Sequence, residues 1–247
     1  MPSTVHERPL SRAQRGLWFL DRLRPASSAY NLATAARVQG ELSTSEVRAF
    51  FQAMVDRHAV LRSTFRREDE EPVRVVHERL DVAFEEIDAE TWTEAELRAG
   101  VEEAAWRPFD LEKGPVFRVA LFQRGTERLL VVAMHHIVAD FGSIGLFQEA
   151  AGEGAKDYAD FVAWQEELLA GPEGERLWSY WRERLAGLPD LDLPLNRSDR
   201  SDVLTPAGAC RRAIGPDTLG RLKALARSRR ATLYVTLLAA FQALLSR

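Results

Sequence analysis

The hydrophobic positions of the chain follow two periods, one typical of helices and one typical of strands. In the clearest helix, apolar residues fall at i, i+3, i+4, i+7 and i+8: Val47, Phe50, Phe51, Met54 and Val55. Capping-box sequences precede this helix and two others, each with a hydroxyl side chain and a Gln or Glu three residues later. The three boxes are Ser11–Gln14, Ser43–Glu46 and Thr91–Glu94.

Strand-like runs alternate with these helices. Val73–His77 follows an acidic turn, and Val116–Gln123 is joined to Leu129–Met134 by a turn around Gly125. Leu129–Met134 is apolar at six successive positions, which is typical of a strand buried on both faces. The alternation predicts an α/β layered fold with a central sheet flanked by helices.

The C-terminal part of the chain combines helical stretches with a polar segment. Residues 157–169 and 174–187 predict two aromatic-rich helices, and the prolines and polar residues of 188–201 predict a linker. A helix over residues 217–230 and an apolar helix from Thr232 follow. The last helix has few burial partners within the chain, so we expect its apolar stripe to be exposed and to promote association.

The composition narrows the class of protein. Apolar residues make up 46% of the chain and charged residues 28%, as in ordinary globular proteins. The formal charge of -4 is too small and too mixed to favour nucleic acid or an anionic membrane. Cys210 is the only cysteine, which excludes an internal disulfide and a cysteine-based zinc site, and no apolar run has the length of a membrane span. We therefore expect a soluble, cytoplasmic protein.

The sequence Met134–Asp140 (MHHIVAD) places two histidines at the end of the apolar strand Leu129–Met134. Successive strand residues point to opposite faces, so only one of His135 and His136 can face a given cavity. If the chain turns helical there, Asp140 lies within one turn of His136. An imidazole can take a proton from an amine or hydroxyl that attacks an acyl carbon. A structural histidine or a metal site uses the same residue types, although no HExxH sequence or cysteine ligand accompanies them.

Five segments, in this order along the chain, resemble sequences of nonribosomal peptide synthetase condensation domains. Leu10–Leu20 is similar to the SxAQxxLWFL motif and Arg57–Phe65 to RHxxLRxxF. Arg107–Pro115 (RPFDLEKGP) resembles family sequence, Met134–Ser143 is similar to MHHxxxDGxS, and Tyr158–Gln165 to YxDFxxWQ. One such match is weak, but five in the family order favour membership of this family.

The resemblance implies a chloramphenicol-acetyltransferase-like fold, with a mixed central sheet flanked by helices and a tunnel between two lobes. Residues 1–187 then correspond to the N-terminal lobe, 188–201 to a linker and 202–247 to the start of an incomplete second lobe. The implied reaction is amide formation between a carrier-bound acyl or peptidyl thioester and a carrier-bound aminoacyl amine. Both substrates arrive on phosphopantetheine arms, so the domain itself is expected to bind no cofactor and no metal. The implied partners are donor and acceptor carrier protein domains, other synthetase modules and the missing part of the second lobe.

The resemblance also assigns roles to single residues. His136 matches the catalytic histidine, either as general base or as a hydrogen-bonding positioner of the attacking amine. Asp140 matches a structural aspartate that pairs with the second arginine of the RHxxLR motif, here Arg62. His135 is expected to be a scaffold residue. Three motif aromatics are expected only to pack: Trp18, Tyr158 and Trp164.

The chain departs from the family motifs near the histidines. Phe141 stands where the motif has glycine, so a side chain occupies a position where the backbone could otherwise approach closely. Phe141, Gly142 and Ser143 are the expected tunnel-lining residues, and the segment between Asp140 and Tyr158 is short for the family. Two alternatives to amide formation therefore stay open: epimerisation or another acyl transfer on the same HHxxxD motif, and a non-catalytic remnant that recruits carrier proteins.

Overall fold

Seven strands and seven α-helices make up the part of the chain that the structure describes. The structure is a computed structural model that describes residues 5–40, 42–69, 71–140, 142–143, 158–189 and 212–246. The strands are β1 (Val5–Pro9), β2 (Asn31–Arg37), β3 (Ser63–Glu68), β4 (Glu71–His77), β5 (Ala83–Asp88), β6 (Phe117–Arg124) and β7 (Glu127–His135). The helices are α1 (Arg12–Leu23), α2 (Thr44–Arg57), α3 (Glu94–Trp106), α4 (Tyr158–Ala170), α5 (Pro172–Leu185), α6 (Pro216–Ser228) and α7 (Leu233–Leu245), with a 3₁₀ turn at Ala59–Arg62.

The strands form two sheets. In the first, β1, β4 and β3 lie in that order and are antiparallel throughout. The second has the order β2-β7-β6-β5, and it is mixed because β5 pairs with β6 in parallel while the other two pairings are antiparallel. The chain thus has the predicted mixed sheet flanked by helices, together with a smaller sheet that the sequence did not predict.

The central position of β7 explains its apolar sequence. It pairs with β2 on one side and β6 on the other, and Val131, Ala133 and Met134 are buried. The main core gathers around this strand and includes side chains from α2 and β3, such as Phe51 and Phe65. A continuous apolar run is expected of a strand that is covered on both faces.

The helix starts follow the capping boxes in two of three cases. Ser11 and Ser43 each accept a hydrogen bond from the main-chain N–H three residues later, and the residue at that position bonds back to the cap. The third box is not Thr91–Glu94, as predicted, but Thr93–Glu96. Thr93 is the cap because its side chain accepts from the N–H of Glu96, whose carboxylate accepts from the N–H of Thr93.

The chain divides into two compact units at residues 1–181 and 182–247. In the second, α6 and α7 contact each other, and the predicted helices at 217–230 and after Thr232 are confirmed within two residues. No residue of α7 is buried, so its predicted apolar stripe is exposed. The predicted linker 188–201 lies, apart from its first two residues, outside the described part of the chain.

Candidate active site

The two histidines sit where β7 ends in the middle of the mixed sheet. His135 is the last residue of the strand, lies opposite Asn31 of β2, and donates its main-chain N–H to the carbonyl of Val116 at 3.0 Å. His136 is the first residue beyond the strand, and its N–H donates to the carbonyl of Tyr30 at 2.8 Å. Neighbouring segments on both sides therefore fix the main chain of the pair.

The imidazole of His135 is part of the protein interior. Its side chain is 2% exposed, and the rings of Tyr30 and Phe109 lie 6.4 Å from it, centroid to centroid. Nδ1 accepts the main-chain N–H of Ile137 at 3.1 Å, so the neutral ring carries its proton on Nε2. Burial, with a smaller contribution from neighbouring His136, lowers the pKa of His135 to about 4. His135 is therefore neutral near pH 7 and holds the turn that follows.

His136 is more accessible than its neighbour and is only half-buried. The chain turns immediately after it, over residues 136–138, and the N–H of Val138 closes the turn on the carbonyl of His135 at 3.1 Å. Ile137, Val138 and Ala139 are all buried in the main core. The turn thus anchors its apolar residues inside and leaves the imidazole of His136 as its accessible polar group.

A glutamine from α1 holds the same turn from the other side. Gln14 is 2% exposed, and its Nε2 donates to the carbonyl of Ile137 at 2.9 Å. The N–H of Ile137 is bound by His135, so both polar main-chain groups of this residue have partners. The residue that follows His136 is therefore tethered through both its N–H and its carbonyl.

Asp140 lies at the protein surface and begins the next turn. Its Oδ1 accepts both the main-chain N–H and the hydroxyl of Ser143, each at 2.8 Å. These hydrogen bonds hold the pKa of Asp140 below its usual value, with the charge of His136 as a small further cause. A Cβ at Gly142 would stand 3.2 Å from Oδ1, so a residue without a side chain fits beside this carboxylate. The structure does not describe Phe141.

The expected ion pair between Arg62 and Asp140 is not present. Arg62 instead donates from Nε to the carbonyl of His77 at 2.9 Å, and from Nη1 to the carbonyls of Val55 and Asp56 at 3.4 and 2.5 Å. A guanidinium at the C-terminal end of a helix satisfies carbonyls that have no partner within the helix and matches the helix dipole. Arg62 therefore joins the end of α2 to β4, while Asp140 is bound by Ser143.

The YxDFxxWQ segment forms the start of α4 and contacts the start of α1. The hydroxyl of Tyr158 lies 2.9 Å from Oγ of Ser11, and Oε1 of Gln165 accepts the N–H of Arg12 at 3.0 Å. The guanidinium of buried Arg74, on β4, lies 5.6 Å from the ring centroid of Tyr158. Tyr158 thus does more than pack, since its hydroxyl binds the cap of the helix that carries Gln14.

The structure brings together most of the predicted site residues. The last residue of β7 and the turns that follow it hold five of them: His135, His136, Asp140, Gly142 and Ser143. Among the predicted residues that the structure describes, Arg62 is the exception, because its hydrogen-bond partners are carbonyls at the end of α2 and on β4.

Several residues contact or face the histidine segment without having been predicted there: Tyr30, Val116 and Phe109, described above, and also Gln14 and Asn31. Gln14 binds the carbonyl of Ile137, and Asn31 lies opposite His135 in the sheet. The signals available for Gln14 were its place in the first capping box and in the SxAQxxLWFL motif. No signal in the sequence marked Asn31.

Two other kinds of site find no support among the described residues. No three His, Cys, Asp or Glu side chains in this part of the chain come close enough together to share a metal ion. None of the described helices has the length and apolar character that a bilayer crossing requires.

Comparison with known proteins identifies the family. The family model "Condensation domain" matches residues 5–247. The chain is 39% identical to a linear gramicidin synthase of Brevibacillus parabrevis over 97% of its length, and 37% identical to phosphinothricin tripeptide synthetase PhsC of Streptomyces viridochromogenes over the same share. It covers only 3% and 24% of these two relatives.

A solved structure agrees with this assignment at the level of the fold. The condensation domain of the monacolin K polyketide synthase MokA has a TM-score of 0.79 and 21% identity, and it aligns with 98% of this chain. The aligned part is 60% of that structure, so the chain spans somewhat more than half of a solved condensation domain. The chain belongs to the condensation domain family, whose members share the chloramphenicol-acetyltransferase-like fold.

Proposed function

We propose that this chain is the N-terminal part of a condensation domain that forms an amide between two carrier-bound substrates. A donor acyl or peptidyl thioester is attacked by the amine of an acceptor aminoacyl thioester, and the donor's carrier thiol leaves. The observation that carries the proposal is the family match over residues 5–247, combined with the turn that leaves His136 accessible at the end of the central strand. One of the relatives is a tripeptide synthetase, and a tripeptide is joined by amide bonds.

His136 is the proposed catalytic residue. Its imidazole either takes the proton of the attacking amine or accepts a hydrogen bond that orients this amine. An α-amine with a reference pKa of about 8 is partly neutral at pH 7, so alignment of the two substrates contributes more than proton removal. His135 is buried, is neutral at this pH and binds Ile137, which suits it to a supporting role.

Asp140 and Arg62 support the site from two different places in this proposal. Asp140 caps the turn at Gly142 and Ser143, and Arg62 closes the end of α2. Phe141, Gly142 and Ser143 are the proposed lining of the substrate tunnel next to His136. The hydroxyl of Ser143 donates to Oδ1 of Asp140, so it is not free to donate to a substrate in this lining.

The proposed partners follow from the reaction. Donor and acceptor carrier protein domains deliver the substrates on phosphopantetheine arms, and the domain itself supplies side chains only. The remaining part of the condensation fold completes the tunnel, since the chain aligns with 60% of one solved domain. The single cysteine suits a reducing cytoplasm as the place of action.

The test is amide formation from two loaded carrier proteins, followed by mass spectrometry of the product arm. The chain is assayed alone and with the second half of the domain supplied in trans. We expect product in the complemented reaction and its loss with His136→Ala. The matched control is His6→Ala in exposed strand β1, which should leave the rate unchanged.

Three other outcomes would overturn the proposal. Unchanged product with His136→Ala would remove its catalytic residue. Deuterium exchange at the α-carbon of the loaded residue, without amide, would indicate epimerisation instead. Carrier protein binding with no turnover, even in the complemented reaction, would indicate a non-catalytic recruiting domain.

A further inference from the structure

The capping box of α1 differs from the two others in the chain. At α2 and α3, the residue that bonds back to the cap is a glutamate, Glu46 or Glu96, and both are exposed. At α1 it is Gln14, which is 2% exposed. Both carboxylate and carboxamide oxygens can accept the hydrogen bond of a capping box, so capping alone does not require an amide at this position.

The second half of the Gln14 carboxamide has a separate partner. Oε1 accepts the N–H of Ser11 at 3.2 Å and completes the box, while Nε2 donates to the carbonyl of Ile137 at 2.9 Å. Gln14 and Ile137 are 123 positions apart in the sequence. A glutamate would keep the first bond and lose the second, because an ionised carboxylate only accepts hydrogen bonds.

The carbonyl of Ile137 lies one residue beyond His136, within the turn over residues 136–138. On the other side, the N–H of His136 is fixed by Tyr30 and that of Ile137 by Nδ1 of His135. Among the described residues, no side-chain hydrogen bond to the imidazole of His136 is found, whereas the main chain on both sides of it is hydrogen-bonded. The tether from Gln14 thus acts on the carbonyl of the residue that follows the ring.

We propose that Gln14 is a positioning residue for His136. Its carboxamide ties the start of α1 to the turn after β7 and fixes the main chain from which the His136 side chain extends. Tyr158 extends the link, because its hydroxyl binds Oγ of Ser11, the cap of the same box. The role of Gln14 in catalysis rests on the proposed function, whereas its hydrogen bond to Ile137 does not.

The experiment compares Gln14→Glu with Glu46→Gln in the full 247-residue chain. Gln14→Glu keeps the capping box of α1 but removes the amide donor to Ile137. Glu46→Gln replaces a carboxylate by an amide in the exposed capping box of α2. Amide hydrogen exchange and the His136 ring resonances are recorded by NMR. We expect Gln14→Glu to speed exchange at Ile137 and His136 by about tenfold or more and to shift the ring resonances of His136; tenfold corresponds to about 1.4 kcal/mol of lost protection. Glu46→Gln should change neither.

A kinetic measurement tests whether the tether from Gln14 affects catalysis. In the complemented amide-forming reaction, we expect Gln14→Glu to lower kcat by about ten- to a hundredfold, the range for a misplaced catalytic group, with KM for the carrier within about twofold. An unchanged kcat beside altered exchange would overturn the positioning role. If the wild-type chain forms no amide, the proposed function fails, and the exchange data alone then decide the geometric claim.

A further measurement tests the tether without any variant, in case Gln14→Glu does not fold. In the wild-type chain, a scalar coupling across the hydrogen bond between Nε2 of Gln14 and the carbonyl carbon of Ile137 reports the contact directly. Its presence supports the tether. Its absence, or unaltered exchange at Ile137 in a folded Gln14→Glu protein, would overturn it.

Discussion

Asn31 of β2 and Arg118 of β6 bind the same end of α3 from the two strands that flank β7. Nδ2 of Asn31 donates to the carbonyls of Ala105 and Arg107 at 3.3 and 3.0 Å, and Arg118 donates to these two carbonyls and to that of Ala104. Both side chains are buried. Since Asn31 is paired with His135 across β2 and β7, the end of this helix is tied to the strand end that carries the histidines.

Loss of Arg118 should therefore destabilise the whole layer. We expect Arg118→Met to lower the free energy of unfolding by about 1–3 kcal/mol, because the carbonyl of Ala104 loses its donor while Asn31 still binds the other two, and the long apolar side chain keeps some packing against Phe109. Arg118→Lys should recover only part of the loss, since a compact ammonium lacks the spread donors with which the guanidinium binds three carbonyls. Urea unfolding followed by circular dichroism measures both values. Equal stability of Arg118→Met and wild type would contradict this prediction.

The buried histidine should make stability depend on pH. In the folded chain the pKa of His135 is lowered to about 4, while an unfolded histidine titrates near a pKa of about 6.5. Between these values the unfolded chain binds more protons, so stability falls as the pH decreases from about 6.5 to 4 and is unaffected by this group above that window. The full effect is on the order of 3 kcal/mol.

His135→Asn isolates this contribution, because the asparagine Oδ1 can still accept the N–H of Ile137 but does not titrate. We expect urea midpoints of the variant to fall less steeply than those of wild type between pH values of about 6.5 and 4. Burial also lowers the pKa of His58, with the same sign, and this residue is kept in both proteins so that its effect cancels. Parallel curves for the two proteins would show that His135 does not carry the effect.

The separate partners of Arg62 and Asp140 predict that the two residues are energetically independent. Arg62→Ala should cost about 1–3 kcal/mol, because it removes the donor to three carbonyls, two of them at the end of α2. A double-mutant cycle with Asp140→Asn should give an interaction energy within about 0.5 kcal/mol of zero. The measurement is chemical unfolding of the four proteins. An interaction of several kcal/mol would instead establish the ion pair that the family resemblance implies.

Two glycines should respond in opposite ways to the same substitution. A Cβ at Gly174, at the start of α5, would lie 2.2 Å from the main-chain oxygen of Leu169, so Gly174→Ala forces the α4–α5 junction apart and should lower the melting temperature by several degrees. Gly16 is exposed on α1 with nothing within 4 Å of an added Cβ, so Gly16→Ala should stabilise by about 0.5–1 kcal/mol. Differential scanning calorimetry distinguishes the two. A stabilising Gly174→Ala would show that the junction has room to adjust.

Features that neighbouring residues determine could be predicted from the sequence. Capping boxes and helical spacing located α1 and α2, and the apolar run of β7 identified the buried central strand. The strand β2 was not predicted, because NLATAAR contains several good helix formers and becomes a strand only by pairing with β7. The edge strand β5 was missed for a similar reason, since its acidic residues are uncommon in strands.

The same distinction holds for the candidate site. The histidines and Asp140 could be identified from the sequence because they lie in one continuous motif, residues 134–143. The contact between Gln14 and Ile137 joins residues 123 positions apart, and no local pattern contains it. Arg62 was paired with the wrong partner because its real acceptors are main-chain carbonyls, which every residue has and which leave no trace in the sequence.

The pairing of Asn31 with His135 also sets the order in which the chain can fold during synthesis. The two residues are roughly a hundred positions apart, so β2 leaves the ribosome long before the strand that covers it exists. At about 5–20 residues per second, the interval is roughly 5–20 seconds. Throughout this time the segment 31–37 lacks its strand partner, and the His136 turn can form only after nearly everything before it in the N-terminal unit has been made. The nascent chain therefore acquires the geometry around His136 late, because this long-range pairing must close a large loop.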